Sequence, residues 1–97
     1  MGFALRPLHK KFILHWSEVG TRWGINRTVA EVHALLFLSP RPLSAEEMAG
    51  ALGVSRSGLS LALRELEDWK LVRRVHQPGD RKEYFEAVRD VWEMFLR

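Results

Sequence analysis

Between Ser44 and Trp69 the chain reads Ser-Ala-Glu-Glu-Met-Ala-Gly-Ala-Leu-Gly-Val-Ser-Arg-Ser-Gly-Leu-Ser-Leu-Ala-Leu-Arg-Glu-Leu-Glu-Asp-Trp. Its stop and start signals leave room for little but two helices joined by a tight turn. Ser44 and Glu47 have the spacing of a capping box, in which each side chain satisfies a first-turn N–H. Met48, Ala49 and Leu52 share one face of a short helix over 45–52. Gly53 supplies the permissive backbone that ends it. Val54 points back to the core, and Ser55 caps a second helix over 56–69. There Leu59, Ala62, Leu63, Leu66 and Trp69 recur at helical spacing as the buried stripe.

The opposite side of the second helix carries the chemistry. At about 100° per residue, Ser57, Ser60, Leu61 and Arg64 gather away from the leucines, with Arg56 at their edge. A short small-residue helix, a glycine turn and a helix showing hydroxyls and guanidinium groups outward form the layout of a helix-turn-helix. Its second helix can enter the major groove, where such groups meet base edges and phosphates. The candidate DNA contacts are therefore Ser55, Arg56, Ser57, Ser60, Leu61 and Arg64, with Ser44 as a helix cap and phosphate candidate. An ordinary helical hairpin with a solvated polar face has the same pattern, so the next segment decides.

After Trp69 the period changes from helical to alternating. Leu71, Arg73 and Val75 alternate with Val72, Arg74 and His76. Gln77-Pro78-Gly79-Asp80 is a turn cluster, and residues 81–87 alternate again. A helix-turn-helix followed at once by a basic-tipped hairpin over 71–87 is a winged helix. Arg73, Arg74, Arg81 and Lys82 are its candidates for phosphates or the adjacent minor groove.

Upstream, residues 5–19 have a helical pattern in which Leu5, Leu8, Phe12, Trp16, Val19 and Trp23 recur every three or four positions. Ile13 and Leu14 widen the apolar coverage beyond one face, which points to a partner chain. Two glycines interrupt at 20 and 24. Asn26 then caps a helix over 27–38, and Ser39-Pro40-Arg41-Pro42 stops it. Leu43 follows as a one-residue bridge of strand. Four tryptophans suggest an aromatic cage for a cation, but at helical spacing Trp16 and Trp23 are expected to pack.

The end of the chain repeats the apolar signal. Val88, Val91, Trp92, Phe95 and Leu96 follow i, i+3, i+4, i+7, i+8, and no glycine or proline stops them before Arg97. Residues 88–97 are read as the start of a dimerisation helix that the chain truncates. Phe12, Trp16, Trp23, Val88, Val91, Trp92, Phe95 and Leu96 are the candidates for a dimer face or ligand pocket.

Ninety-seven residues bound this to one domain, mainly α with a small β-hairpin wing. The absence of cysteine excludes disulfide, zinc-knuckle and thiol chemistry and suits a reducing cytoplasm. His9, His15, His33 and His76 are scattered. No Ser/His/Asp, paired-carboxylate or metal-ligand spacing stands out, so no enzyme, cofactor or metal is expected. No run has the length of a membrane span. The net charge is +3, and its placement is uneven. Residues 1–28 carry five basic side chains against one acidic, and residues 54–82 seven against four. The excess falls on the first helix and on the motif with its hairpin, as an anion-facing side requires.

These residues resemble MarR-type winged-helix transcriptional regulators, and more narrowly the GbsR-type branch linked to osmoprotectant and choline-responsive genes. The blocks that carry the likeness are Gly20-Thr-Arg-Trp-Gly-Ile-Asn-Arg-Thr-Val-Ala30, Ser39-Pro-Arg-Pro-Leu-Ser-Ala-Glu-Glu47, Gly53-Val-Ser-Arg-Ser57 and Gly79-Asp-Arg-Lys82. The resemblance implies a cytoplasmic homodimer on double-stranded DNA, a repressor role, and a small cationic effector such as choline. It also implies a C-terminal helical region beyond this chain's length. Similar sequences tend to carry Asn where this chain has Gly58 and Leu61, and Arg where it has Lys82. A winged-helix module that binds protein through the same surface, without sequence-specific DNA binding, is the alternative.

Overall fold

The computed structural model describes residues 6–89. Leu5, Val91, Trp92, Phe95 and Leu96 lie outside the described residues. Four helices and three short strands follow one another as α1 (Pro7–Arg22), α2 (Arg27–Leu38), β1 (Leu43–Ser44), α3 (Ala45–Leu52), α4 (Arg56–Asp68), β2 (Val72–Val75) and β3 (Tyr84–Ala87). The sheet is antiparallel with order β1-β3-β2. The isolated bridge at Leu43 is thus a two-residue strand, in which Leu43 pairs with Phe85 and Ser44 with Tyr84.

Helix α2 is the centre of the core. Asn26 caps it by accepting from the Thr28 amide at 2.8 Å. Val32, Ala34 and Leu35 are wholly buried in it. Around it pack Met48 of α3, Leu59, Leu63 and Leu66 of α4, and Val72, Phe85 and Ala87 of the hairpin. Each such large side chain contributes roughly 1.5–3 kcal/mol when fully buried.

Helix α1 departs from its apolar pattern. Its packed face is Ile13, Ser17 and Gly20, and its apolar stripe lies to one side of that face. At 100° per residue the two are offset by roughly a quarter turn. Small residues decide this: a Cβ placed on Gly20 would stand 3.1 Å from the Ala30 Cβ, so the helices meet there backbone to backbone. The stripe is left on a shoulder. Phe12 and Trp16 are half-buried and stack on each other at 6.2 Å between centroids, Phe12 also meeting Phe37 at 6.3 Å. Leu8 and Trp23 stay 75% and 81% exposed. Trp23 therefore does not pack as its spacing implied, because it is the C-cap of α1, where the helix leaves the core ahead of the left-handed Gly24. On the other side of this contact His33 is buried edge-on to Trp16, and burial pushes its imidazole down to about 4.

Two further observations concern ends of elements. Trp69 is the C-cap of α4 and about half exposed, not the last member of the buried stripe. Beyond it Lys70 takes a left-handed φ of 62°, and the Leu71 amide reaches back to the Leu66 carbonyl at 3.0 Å. This is a Schellman stop with lysine in the usual glycine position. Val88 still belongs to the hairpin, its amide donating to the Leu71 carbonyl at 2.9 Å, and Arg89, the last described residue, is helical.

Candidate nucleic-acid interface

Helices α3 and α4 meet at the turn their end signals require. The Ser44 hydroxyl accepts from the Glu47 amide at 3.2 Å, and the Glu47 carboxylate accepts from the Ser44 amide at 3.1 Å. Gly53 has a φ of 66°, which glycine adopts without strain. The Ser55 hydroxyl then accepts from the Gly58 amide at 3.1 Å. A Cβ on Gly58 would stand only 3.1 Å from that hydroxyl, so the glycine leaves room for the cap. Arg41 braces the start of α3 through both its terminal nitrogens, at 3.2 and 2.6 Å from the Glu47 carboxylate. That guanidinium holds the Glu47 carboxyl below the ordinary carboxylate range.

Ser55, Arg56, Ser57, Ser60, Leu61 and Arg64 are all exposed on α4 and its cap, Leu61 at 65%. The row Arg56, Ser60, Arg64 and Glu67 forms one wall of an open cleft. Its other walls are Glu46 at the start of α3 and Arg74, Lys82, Glu83 and Phe85 of the hairpin. Ser57 and Leu61 lie on the neighbouring exposed row, outside the cleft. Ser44 lines the cleft floor but is 5% exposed and its hydroxyl is used by the cap. Its position suits the capping role and leaves little of it to meet a phosphate.

The four wing cations have separate fates. Successive strand residues point to opposite faces. Arg74 shares the core-side face with its partner Phe85, while Arg73 sits on the outer face beside Glu86, with its Nε 2.7 Å from that carboxylate. Arg74 is engaged by Glu67 and Glu83 at 2.9 and 2.8 Å. Arg81 and Lys82 belong to the loop, since β3 begins only at Tyr84. Asp80 shapes that loop: one carboxylate oxygen accepts from the Lys82 amide at 2.9 Å and the other from the Tyr84 hydroxyl at 2.6 Å. These bonds hold the Asp80 carboxyl below its ordinary range and push the Tyr84 phenol up. Lys82 reaches Glu46 at 3.4 Å. Arg56, Arg64 and Arg81 enter no ion pair among the described residues.

Sequence reasoning misses Glu46, Glu67 and Glu83. Their partners come from 36, 7 and 9 residues away in sequence, through the return of the hairpin, so no local pattern announces them. The aromatic candidates Phe12 and Trp16 pack on α2, away from the exposed Trp23, and the three do not form a cage. No helix among the described residues is long and apolar enough to cross a membrane.

A helix-turn-helix whose second helix shares a cleft with a short antiparallel hairpin defines a winged helix-turn-helix domain. Residues 18–83 match the model of the MarR family, and the chain belongs to that family. It is 27% identical over 85 residues to YvaV of Bacillus subtilis (strain 168), covering 88% of this chain and 48% of that one. It is 26% identical over 74 residues to the HTH-type transcriptional repressor OpcR of the same organism, covering 76% of this chain and 40% of that one. The likeness to the HTH-type transcriptional repressor GbsR of the same organism is 25% over 79 residues, covering 81% and 43%. The chain thus spans about half or less of the length of these relatives. Among solved structures, a transcriptional regulator superposes with a TM-score of 0.83 at 25% identity, covering 89% of this chain and 59% of that one. A point mutant of S. aureus MepR, bound to an oligodeoxyribonucleotide, shares the fold with a TM-score of 0.69 at 18% identity over 90% of this chain and 64% of its own.

Proposed function

We propose that this chain is the DNA-binding part of a dimeric, sequence-specific transcriptional repressor, with α4 in the major groove and the wing loop beside it. The observation that carries the proposal is the cleft in which Arg56, Ser60 and Arg64 of α4 face Lys82 of the wing. Two of these cations, Arg56 and Arg64, are free of internal ion pairs among the described residues and available to phosphate. The fold shared with a DNA-bound MepR agrees with this, and the naming of OpcR and GbsR as repressors favours repression over activation. The uncovered shoulder of α1, with Leu8 and Trp23 exposed, supports a second copy packing there. Likeness to GbsR extends the proposal to osmoprotectant-related genes. Phe12, Trp16 and Trp23 do not come together as a cage for a cation such as choline.

Selection of bound sequences from a random duplex pool, followed by affinity measurements over a salt series, tests this. A dimer places its recognition helices about 34 Å apart and selects a roughly palindromic site. Log affinity then falls linearly with log salt, and Arg56→Ala and Arg64→Ala each lower the slope by about 0.9 per subunit, about 1.8 for the dimer. Affinity unmoved by both substitutions at low salt would assign the surface to a protein partner instead.

A further inference from the structure

We infer that Arg74 is a positioning residue that locks the wing to the recognition helix, with Glu67 and Glu83 as its acceptors. The side chain leaves β2 on the face that Phe85 turns to the core. Its Nε donates to a Glu67 oxygen at 2.9 Å and a terminal nitrogen donates to a Glu83 oxygen at 2.8 Å. Its central carbon lies 5.6 Å from the centroid of the Phe85 ring. These partners belong to the last turn of α4, to the loop entering β3, and to β3 itself. One guanidinium thus joins three pieces of chain. The planar fork fixes this geometry, whereas a lysine ammonium, a point charge on a flexible stem, has neither the fork nor the flat face to hold two carboxylates and a ring in one arrangement.

The carboxylates make the same point from the other side. Glu67 and Glu83 lie in the cleft that holds Arg56, Ser60 and Arg64, where a bare negative charge repels phosphate. As acceptors for Arg74 they share one positive charge, which halves their combined negative charge, and they set the angle at which the loop carries Arg81 and Lys82. Arg74, grouped by sequence with the phosphate-binding cations, instead aims those cations.

This role presupposes the DNA-binding function proposed above, so the test has one arm on DNA and one without it. A phosphate ligand at position 74 would let Arg74→Lys keep duplex affinity within about twofold, since lysine also binds phosphate as a point charge. It would also make the double variant Glu67→Ala/Glu83→Ala bind tighter, because two negative charges leave the surface. Positioning reverses both results. Arg74→Lys loses as much affinity as Arg74→Ala, severalfold, and removing the carboxylates weakens binding as well. In the DNA-free chain, heteronuclear NOE values for backbone amides between residues 76 and 83 fall in every one of these variants. Thermal unfolding checks that each variant is folded, and Arg74→Lys, which keeps the charge, stands if an alanine variant does not fold. Tighter binding without the carboxylates, or unchanged NOE values, overturns the assignment. A wild-type chain that binds no duplex sinks the DNA-binding function and leaves the NOE arm to judge Arg74.

Discussion

Arg73 and Arg74 are adjacent in the chain and face opposite sides of the hairpin, Arg73 paired across the strands with Glu86 and Arg74 turned toward α4 and Glu67. Only one of them can belong to the cleft. Arg73→Ala is therefore expected to change duplex affinity by less than about twofold and to leave the salt slope unaltered, a contact to no phosphate having been lost. Filter binding at two or three salt concentrations is sufficient; a slope reduced by about 0.9 per subunit would put Arg73 on the DNA.

Leu61 is the large apolar side chain of α4 that stays in solvent, 65% exposed beside the polar row. It has no hydrogen bond to offer a base but can touch a thymine methyl. Replacing Leu61 or Ser57 should alter the selected consensus with the salt slope retained. Reversing Arg81 and Lys82 to Glu should weaken every sequence nearly equally. Repeating the pool selection with each variant separates the two classes, and an unchanged consensus for both Leu61 and Ser57 would move base reading elsewhere on α4.

Ser44 allows a sharper separation of cap from contact. Its hydroxyl accepts from the Glu47 amide, so Ser44→Ala should cost about 1 kcal/mol in urea unfolding. The salt slope of duplex binding should stay as in the wild type. A stable variant with a lower slope would reinstate Ser44 as a phosphate ligand.

Gly20 meets Ala30 closely, a hypothetical Cβ standing 3.1 Å from the Ala30 Cβ, so a larger side chain would have to push the helices apart. Gly20→Val should destabilise by about 1–3 kcal/mol through overpacking, read as a lower denaturation midpoint with an unchanged m-value. A neutral result would show that α1 can lift from α2 at little cost.

His33 gives the fold a mild sensitivity to acid. Its folded pKa of about 4 lies below the ordinary 6.5, so the unfolded chain binds the extra proton first. Stability is complete above pH 6.5 and falls as the pH drops toward 4, by up to about 3 kcal/mol in total. The Glu47 and Asp80 carboxyls, held low, add their own losses only below the ordinary carboxylate range. Urea unfolding at pH 7.5 and 5 should therefore differ in the wild type and differ much less in His33→Leu.

Much of the motif was legible because its signals are local. The Ser44–Glu47 box, the left-handed Gly53 and the Ser55 cap each depend on residues within one turn, and all three occur in the structure. The register of α1 was not legible. Ser17 and Gly20 carry no hydrophobic signal, yet they occupy the packed face because Ala30 lets the backbones close. Trp69 continued the periodicity but fell on the residue where the helix ends, so the period no longer fixed its environment. The arginines of the hairpin look equivalent in sequence because a one-dimensional pattern does not contain Glu67 or Glu86, which arrive by tertiary and cross-strand contact.

Ser44 closes the ladder of β1 and is also the N-cap of α3, with no residue between the two elements. A rotation of the hairpin base about this point has no slack in which to dissipate. Tilting the wing would drag the leading helix of the DNA-reading pair along with it, and a load applied to that helix would travel back into the sheet. Whatever bends one half of this domain in solution must therefore bend the other.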